Sequence, residues 1–283
     1  MIRHISEINA ARARFPRGLA QPVGALRFGL DALLLAAFAA GQCQSRVKNG
    51  GNAPAPGLCG AELGCGCGAA LLGLALRCPE LTGLGLEREA ELLRAARQNV
   101  AALGCQERLR FARVDIADRA ALRQSVAVEG FRAGALDLVL ANPPYGLPGR
   151  GRASPSSLRE RALRGPAALT DFCRAAAELL RHHGRFFCIF DARQLPRLCA
   201  ELDRARLGLR RILPVRARSS APALRILVEA RKNAAPDLRL ESPLTLHGAK
   251  ARRATKTGAQ AAIWSAQALR FCPWLAAGVT TDS

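Results

Sequence analysis

Short apolar runs alternate with helical patterns between residues 58 and 232, and this alternation limits the possible folds more than any other feature of the sequence. The first unit has an apolar run at 58–63, a turn with three glycines at 64–68 and a helical pattern at 69–77. Such alternation is typical of βαβ units, whose strands are parallel and buried. We therefore expect an α/β protein with a doubly wound, Rossmann-like, seven-stranded sheet that is mostly parallel and has an antiparallel hairpin at its edge.

Composition and pattern divide the chain into four segments. They are an N-terminal segment and helix at 1–40, a linker at 41–57, a core domain at 58–232 and a C-terminal extension at 233–283. In the core domain we expect strands at 58–63, 81–87, 109–114, 136–141 and 185–190, and the edge hairpin at 209–215 and 224–230. The apolar helix that ends the first segment is expected to be capped by Asp31.

Neither a membrane anchor nor a disulfide framework is expected. The apolar stretch at 30–40 is about half of the roughly 20 residues that a spanning helix needs, and residues 1–20 lack the apolar region of a secretory signal. The ten cysteines include no C-x-x-C pair, so reduced thiols are the simplest interpretation. Cys65 and Cys67 have no paired Cys or His near them, so no metal site is expected. The default expectation is a cytoplasmic protein.

The chain has a large excess of positive charge. Its 42 basic residues outnumber 22 acidic ones, which gives a formal net charge of +20, and all but four of the basic residues are arginines. An arginine-biased genome would explain the choice of arginine over lysine, but not the excess over acids. A polyanionic partner explains the excess, because neutralised phosphates release counterions and so favour binding. We therefore expect a nucleic acid as partner.

An acid and three glycines stand at the end of the first predicted strand. The residues that we expect to contact a cofactor there are Glu62, Gly64, Cys65, Gly66 and Gly68. Glycine lets the backbone turn tightly and approach a ligand. With Ala69 the spacing also satisfies the dinucleotide fingerprint G-x-G-x-x-G/A, so a hydride-transfer enzyme is a rival interpretation. The acid favours S-adenosylmethionine, because a carboxylate would repel a pyrophosphate but can meet the amino group of the methionine part.

Further candidate cofactor contacts follow the second and third predicted strands, at the sheet edge where ligands bind in such folds. Glu87 could accept hydrogen bonds from both ribose hydroxyls, although a plain surface acid is the alternative. Asp115 could accept one from the adenine amino group, with Ile116 packed on the ring. The alternative role for Asp115 is that of a helix N-cap.

The motif Asn142-Pro143-Pro144-Tyr145 directly follows the fourth predicted strand and contains the only tyrosine of the sequence. An exocyclic amine could donate hydrogen bonds to the Asn142 side-chain oxygen and the Pro143 carbonyl oxygen, which would localise its lone pair and position it. The two prolines stiffen the loop, and Tyr145 would stack on a planar substrate. We therefore expect these four residues to catalyse methyl transfer to a planar amino nitrogen without a metal, with Asn142 also close to the cofactor.

Together these motifs resemble those of class I methyltransferases that act on amino nitrogens of adenine, cytosine, guanine or glutamine. More narrowly, the segment 29–35 followed by this core is similar to the bacterial family that N6-methylates the adenosine beside the anticodon of a valine tRNA. The resemblance covers about residues 28–232. It implies S-adenosylmethionine as cofactor, tRNA as partner and a position near the cofactor for Asp31.

An arginine-rich loop follows the Asn-Pro-Pro-Tyr motif and is long for a connection in a compact α/β domain, which indicates a functional role. If RNA is the substrate, we expect it to be contacted by Arg150, Arg152, Arg159 and Arg161.

Four rival functions fit parts of the pattern. A protein methyltransferase could modify a glutamine side-chain amide with the same motif, but a protein substrate would not explain the charge. A DNA amino methyltransferase would be expected to add a target-recognition domain, for which the chain has little room. An rRNA guanine-N2 methyltransferase fits the motif as well. A non-catalytic RNA-binding protein would not need both Asn142 and Tyr145.

Overall fold

A single mixed sheet organises the computed structural model, which describes residues 2–24, 28–48, 57–145, 169–248 and 263–277. The strands are β1 (Leu58–Leu63), β2 (Leu81–Glu87), β3 (Leu109–Arg113), β4 (Leu136–Ala141), β5 (Leu180–Asp191), β6 (Leu207–Arg216), β7 (Ala223–Lys232), β8 (Arg239–Leu240) and β9 (Leu244–Thr245). Their order is β3-β2-β1-β4-β5-β7-β6-β8, and β9 also pairs with β6. The pairs from β3 to β5 are parallel, and β7 is antiparallel to both of its neighbours.

Helices connect the strands and cover the sheet. They are α1 (Ile2–Arg14), α2 (Leu30–Lys48), α3 (Ala69–Arg77), α4 (Ala90–Ala102), α5 (Arg119–Val128), α6 (Leu169–Leu179), α7 (Leu195–Arg204) and α8 (Ala266–Phe271), with short 3-10 turns at Ala192–Gln194 and Pro273–Ala277. Within the described ranges, no helix is both long enough and apolar enough to cross a bilayer.

Each central strand is buried on both faces, which explains its continuous apolar sequence. In β5, Phe187 and Ile189 belong to one buried cluster together with α2, α3 and α4. Phe186, Cys188 and Phe190 alternate with them and belong to a second cluster with α5, α6 and α7. Successive side chains of a strand point to opposite faces, so the two clusters are the two cores on either side of the sheet.

The predicted α/β class and the largely parallel sheet are confirmed, but the predicted count of seven strands is wrong. Two short strands, β8 and β9, pair in parallel with β6, so the hairpin of β6 and β7 is not the edge of the sheet. Both are two residues long, and a sequence pattern of period two cannot be recognised over so short a length.

The predicted linker at 41–57 is also wrong in its first half, because α2 continues through Gly41 to Lys48. The apolar run that suggested the helix ends at Ala40, whereas the backbone hydrogen bonds continue for two more turns. Asp31 does not precede this helix as a cap but lies within its first turn, and its side chain contacts other parts of the fold. Isolated glycines are tolerated inside helices at a modest cost.

The two ends of the chain pack together on the α2 side of the sheet. The rings of Phe15 and Trp274 meet edge to face, with 5.2 Å between their centroids. The thiol of Cys272 lies 3.8 Å from the Leu33 carbonyl oxygen on α2, and Leu275 is fully buried in the same cluster. The described part of the C-terminal extension therefore belongs to the core of the domain.

Candidate active site

The order of the strands brings two loops together at one edge of the sheet. β1 pairs in parallel with β4, so that Leu63 lies opposite Ala141. The glycine loop begins at residue 64, and the Asn-Pro-Pro-Tyr loop begins at residue 142. The strand order also reverses direction at β1, and ligands of doubly wound sheets bind at the carboxyl ends of the strands at such a switch point. The two predicted motifs are therefore neighbours in a position suited to a ligand.

The glycine loop has the backbone geometry that its sequence predicts. Gly64, Gly66 and Gly68 have φ angles of 62°, 57° and 84°, a region that L side chains rarely adopt. A Cβ atom built on Gly66 would meet no atom within 4 Å. The backbone at Gly66 therefore faces open space, and a ligand could approach it closely.

The two cysteines of the loop point away from that space. Cys65 is 5% exposed and Cys67 is 4% exposed. Burial raises the pKa of the Cys65 thiol well above its usual range and that of Cys67 to about 12. Both thiols are therefore neutral at physiological pH, and in this state they are poor nucleophiles and poor metal ligands. In the structure they fill the core under the loop.

Glu62 supports the loop from below. Its side chain is buried, and its Oε2 accepts a hydrogen bond of 2.8 Å from the backbone N–H of Leu71 in the first turn of α3. Burial raises the pKa of this carboxyl from its ordinary 4.5 to about 8, and the charge of nearby Glu87 adds to the rise. At neutral pH the group is protonated, whereas the sequence-based expectation used an ionised carboxylate to attract an amino group.

Glu87 ties the glycine loop to the neighbouring turn after β2. Its Oε2 accepts a hydrogen bond of 2.8 Å from Gly66 N, and its Oε1 accepts bonds of 2.8 and 2.9 Å from the backbone N–H groups of Arg88 and Glu89. A carboxylate offers about four acceptor sites, so three of them are already used. One hydroxyl could be held as the site stands, and the second expected ribose contact would require one of these three backbone bonds to be given up.

Asp115 and Ile116 lie at the start of the next connection. Asp115 Oδ1 accepts a hydrogen bond of 2.9 Å from Ala117 N, which closes a local turn. The cap of α5 is Asp118, whose side chain accepts from Ala121 N, so the alternative role of Asp115 as that cap is wrong. Ile116 is 6% exposed and packs in the core cluster on the α5 side. Its side chain offers little surface to an adenine ring.

Tyr145 connects the Asn-Pro-Pro-Tyr loop to α2. Its hydroxyl lies 2.8 Å from Asp31 Oδ2 and 2.8 Å from Asn142 Oδ1. A hydroxyl has one proton, so it can donate to only one of these acceptors at a time. Asn142 Oδ1 keeps a second lone pair for another donor. Pro143 is buried and Pro144 half-buried, which fits a stiff loop whose two prolines have no N–H group to satisfy.

Arg225 of β7, which the sequence analysis missed, completes this cluster. Its Nε lies 3.0 Å from Asp31 Oδ2, and its guanidinium carbon lies 4.5 Å from the centroid of the Tyr145 ring. A guanidinium at this distance from an aromatic ring makes a cation–π contact. Arg225 therefore occupies part of one face of Tyr145, and a stacked substrate would use the remaining ring surface.

Gln194 and Phe190 also hold the loop and were also missed. Gln194 Nε2 donates a hydrogen bond of 2.6 Å to the Tyr145 carbonyl oxygen, and the Phe190 ring meets the Tyr145 ring edge to face at 5.5 Å. Both residues lie at or just beyond the end of β5, the strand next to β4. The feature of the sequence that could have identified both residues is their position at the end of a predicted strand.

The expected RNA contacts Arg150, Arg152, Arg159 and Arg161 lie outside the described residues.

Tyr145 can be tested in isolation because it is the only tyrosine of the chain. Burial raises its pKa well above the usual value, and the Asp31 carboxylate raises it further. We expect tyrosinate absorbance to remain absent in the folded protein at pH values where free tyrosine ionises, about 10. Asp31→Asn should lower this pKa, and Arg225→Gln should raise it, because the guanidinium favours the phenolate. Equal titration curves for all three proteins would contradict the described contacts.

Glu62 predicts a pH dependence of stability. The folded protein keeps the Glu62 proton up to about pH 8, whereas the unfolded chain releases it near its ordinary pKa. As pH rises from about 5 to 8, this group therefore lowers the free energy of unfolding by at most about 1.4 kcal/mol per pH unit. Glu62→Gln should remove that loss in chemical denaturation experiments. The exposed Glu91→Gln, which makes the same substitution outside the core, serves as control, and a wild-type slope in Glu62→Gln would refute the prediction.

Comparison with known proteins agrees with this fold. No family model matches the chain. Over 84 residues it is 36% identical to a release factor glutamine methyltransferase of Caulobacter vibrioides, an alignment that includes 30% of this chain and 25% of the relative. The chain thus spans about a quarter of the length of the curated relative that it matches.

Two solved structures are also similar to this chain. A predicted O-methyltransferase of Agrobacterium tumefaciens superimposes with a TM-score of 0.58 at 23% identity, over 81% of this chain and 93% of that one. A candidate RNA methyltransferase of Pyrococcus horikoshii gives a TM-score of 0.49 at 16% identity, over 82% and 97%. Of these two, the first superposition is close enough to define the fold. The chain has the Rossmann-like α/β fold of the class I methyltransferases.

Proposed function

We propose that this chain is an S-adenosylmethionine-dependent N-methyltransferase that acts on the exocyclic amino group of a nucleic-acid base, with N6 of adenosine in tRNA as the preferred target. The observation that carries this proposal is the position of Asn142 and Tyr145, which share a hydrogen bond at the end of β4, beside the open glycine loop at the end of β1. A methyltransferase fold alone would not require an amide and an aromatic ring there.

Features of this chain fit the cofactor. The backbone at Gly66 borders open space, so a ligand could approach the glycine loop closely there. Glu87, behind the loop, has acceptor capacity for a ribose hydroxyl. When bound, S-adenosylmethionine would supply a methyl group activated by its attachment to a sulfonium.

The chain's own residues would position the acceptor amine. In the proposed complex, Asn142 Oδ1 and the Pro143 carbonyl oxygen accept the two hydrogens of the amino group, so that its lone pair no longer delocalises into the ring. Tyr145 provides a flat surface that orients the base. Its place is held by Asp31, Arg225 and Gln194. Because the loop is held before substrate binds, little ordering is left for the reaction step.

A glutamine side-chain amide is the second candidate acceptor. It is planar and carries an NH₂ group, so it fits the same Asn142 geometry. The observation in its favour is the 36% identity to the release factor glutamine methyltransferase. The net charge of +20 favours a nucleic acid, because a protein side chain gives no reason for such an excess of arginine.

One experiment addresses both the reaction and the acceptor. The chain is incubated with labelled S-adenosylmethionine and separate RNA, DNA and protein fractions, and the products are analysed by nucleoside and amino-acid mass spectrometry. We expect label in RNA as N6-methyladenosine. We expect Asn142→Ala to lower transfer by about 100-fold or more, since positioning is lost, with cofactor affinity nearly unchanged. The exposed amide variant Gln98→Ala should behave like the wild type.

The outcomes discriminate between the candidates. Methylglutamine in the protein fraction would support the second candidate and overturn the nucleic-acid proposal. Unchanged transfer by Asn142→Ala would remove the loop from its proposed role. Absence of label from all three fractions would contradict the proposed activity.

A further inference from the structure

Several arginines lie at the carboxyl edge of the sheet after β5 and β6. They are Arg193, Arg197, Arg216 and Arg218, and of these Arg193 pairs with Asp191, the last residue of β5. The Asn-Pro-Pro-Tyr loop follows β4, the strand next to β5. We propose that Arg197, Arg216 and Arg218 form a phosphate-binding surface that holds the RNA backbone beside the target nucleotide; this inference rests on the proposed function.

Arg197 is connected to the catalytic loop through one residue. Its Nη1 donates a hydrogen bond of 3.2 Å to Gln194 Oε1, while Gln194 Nε2 donates to the Tyr145 carbonyl oxygen. Two hydrogen bonds in series therefore connect the guanidinium to the loop that would receive the base. A phosphate next to an extruded nucleotide lies close to its base, so this arginine is suitably placed for the backbone at the target position.

Arg216 and Arg218 extend the surface away from the loop. β6 runs antiparallel to β7, which runs antiparallel to β5, so β6 ends at the same edge as β5. Arg216 is its last residue, and its Nε donates a hydrogen bond of 2.9 Å to Thr245 Oγ1. Arg218 is exposed in the turn to β7. β6 lies two strand spacings from β5, a distance of about 10 Å. Phosphates of nucleotides that flank the target could lie at this distance from it.

The charges of these three arginines are not neutralised by acids. In the described part of the chain, no carboxylate oxygen lies within 4 Å of a side-chain nitrogen of Arg197, Arg216 or Arg218. Other arginines at both edges of the sheet do form ion pairs, for example Arg193 with Asp191 at the carboxyl edge and Arg204 with Glu201 at the opposite edge.

Unpaired guanidinium groups remain free to bind phosphate with two parallel hydrogen bonds. The partner that matches a row of such groups is a chain of phosphates, and a single small anion would need only one of them.

The test compares two charge-matched double variants of the full chain. Arg197→Gln with Arg218→Gln changes the proposed surface, and Arg132→Gln with Arg206→Gln changes two exposed arginines near the amino ends of the strands. Each variant loses two positive charges. The dissociation constant for labelled bulk tRNA is measured at several salt concentrations, and cofactor affinity is measured in parallel.

We expect the first variant to bind tRNA more weakly and to show a salt dependence of log K less steep by about 1.4, since each phosphate contact contributes about 0.7 with single strands. Its cofactor affinity should stay within about twofold of the wild type, and the control variant should keep the wild-type slope. Equal slopes for all three proteins, or the same decrease in both variants, would overturn the proposed surface.

Failure of the proposed function would be seen separately, because it is read from methyl transfer by the wild-type chain. If the wild-type chain methylates RNA but the three salt slopes are equal, the proposed function stands and the proposed phosphate-binding surface is refuted. If the wild-type chain methylates protein but not RNA, both the proposed nucleic-acid function and this inference are refuted.

Discussion

The parallel pairing of β1 with β4 is the constraint on which the candidate site depends. It places the glycine loop and the Asn-Pro-Pro-Tyr loop side by side, although 73 residues lie between Gly68 and Asn142 in the sequence. In the proposed function neither loop would suffice alone, because one would hold the cofactor and the other would hold the amine. The pairing is stable because both strands are buried on both faces, so a shift of register would expose apolar side chains or force them against the wrong layer.

Polar groups buried beneath the loops hold them in position. Glu62 and Glu87 accept four backbone N–H groups of the glycine loop, of α3 and of the turn after β2, and buried N–H groups without acceptors would cost several kcal/mol together. On the other side, Asp31 joins Tyr145 and Arg225 in one network. The site is therefore organised before any ligand binds.

The local sequence pattern predicted the bounds of those elements that depend mainly on neighbouring residues. The strands at 58–63, 81–87 and 136–141 have the predicted bounds, because their continuous apolar runs end in polar or glycine-rich turns. The positive φ angles of the glycine loop follow from residue type. The same reasoning failed where the apolar signal stops before the structure does, as in the last two turns of α2, and where strands are only two residues long.

Contacts between distant segments could not be predicted from one sequence. Arg225 meets Asp31 across 194 positions, and nothing in the apolar pattern around Arg225 distinguishes it from other arginines that lie in strands. Asp31 was expected near the cofactor only by resemblance, and its observed partners belong to the Asn-Pro-Pro-Tyr loop and β7. Glu62 was expected to be ionised, but its burial raises its pKa to about 8, and burial of this degree follows from the tertiary fold.

The central claim is that the glycine loop after β1 is a site for S-adenosylmethionine, and the competing interpretation of its spacing is a dinucleotide site. Calorimetric titration of the wild-type chain with S-adenosylmethionine and, separately, with NAD distinguishes them most directly. The account predicts saturable binding of S-adenosylmethionine at one site per chain and no binding of NAD. Binding of NAD without S-adenosylmethionine, or binding of neither, would contradict it.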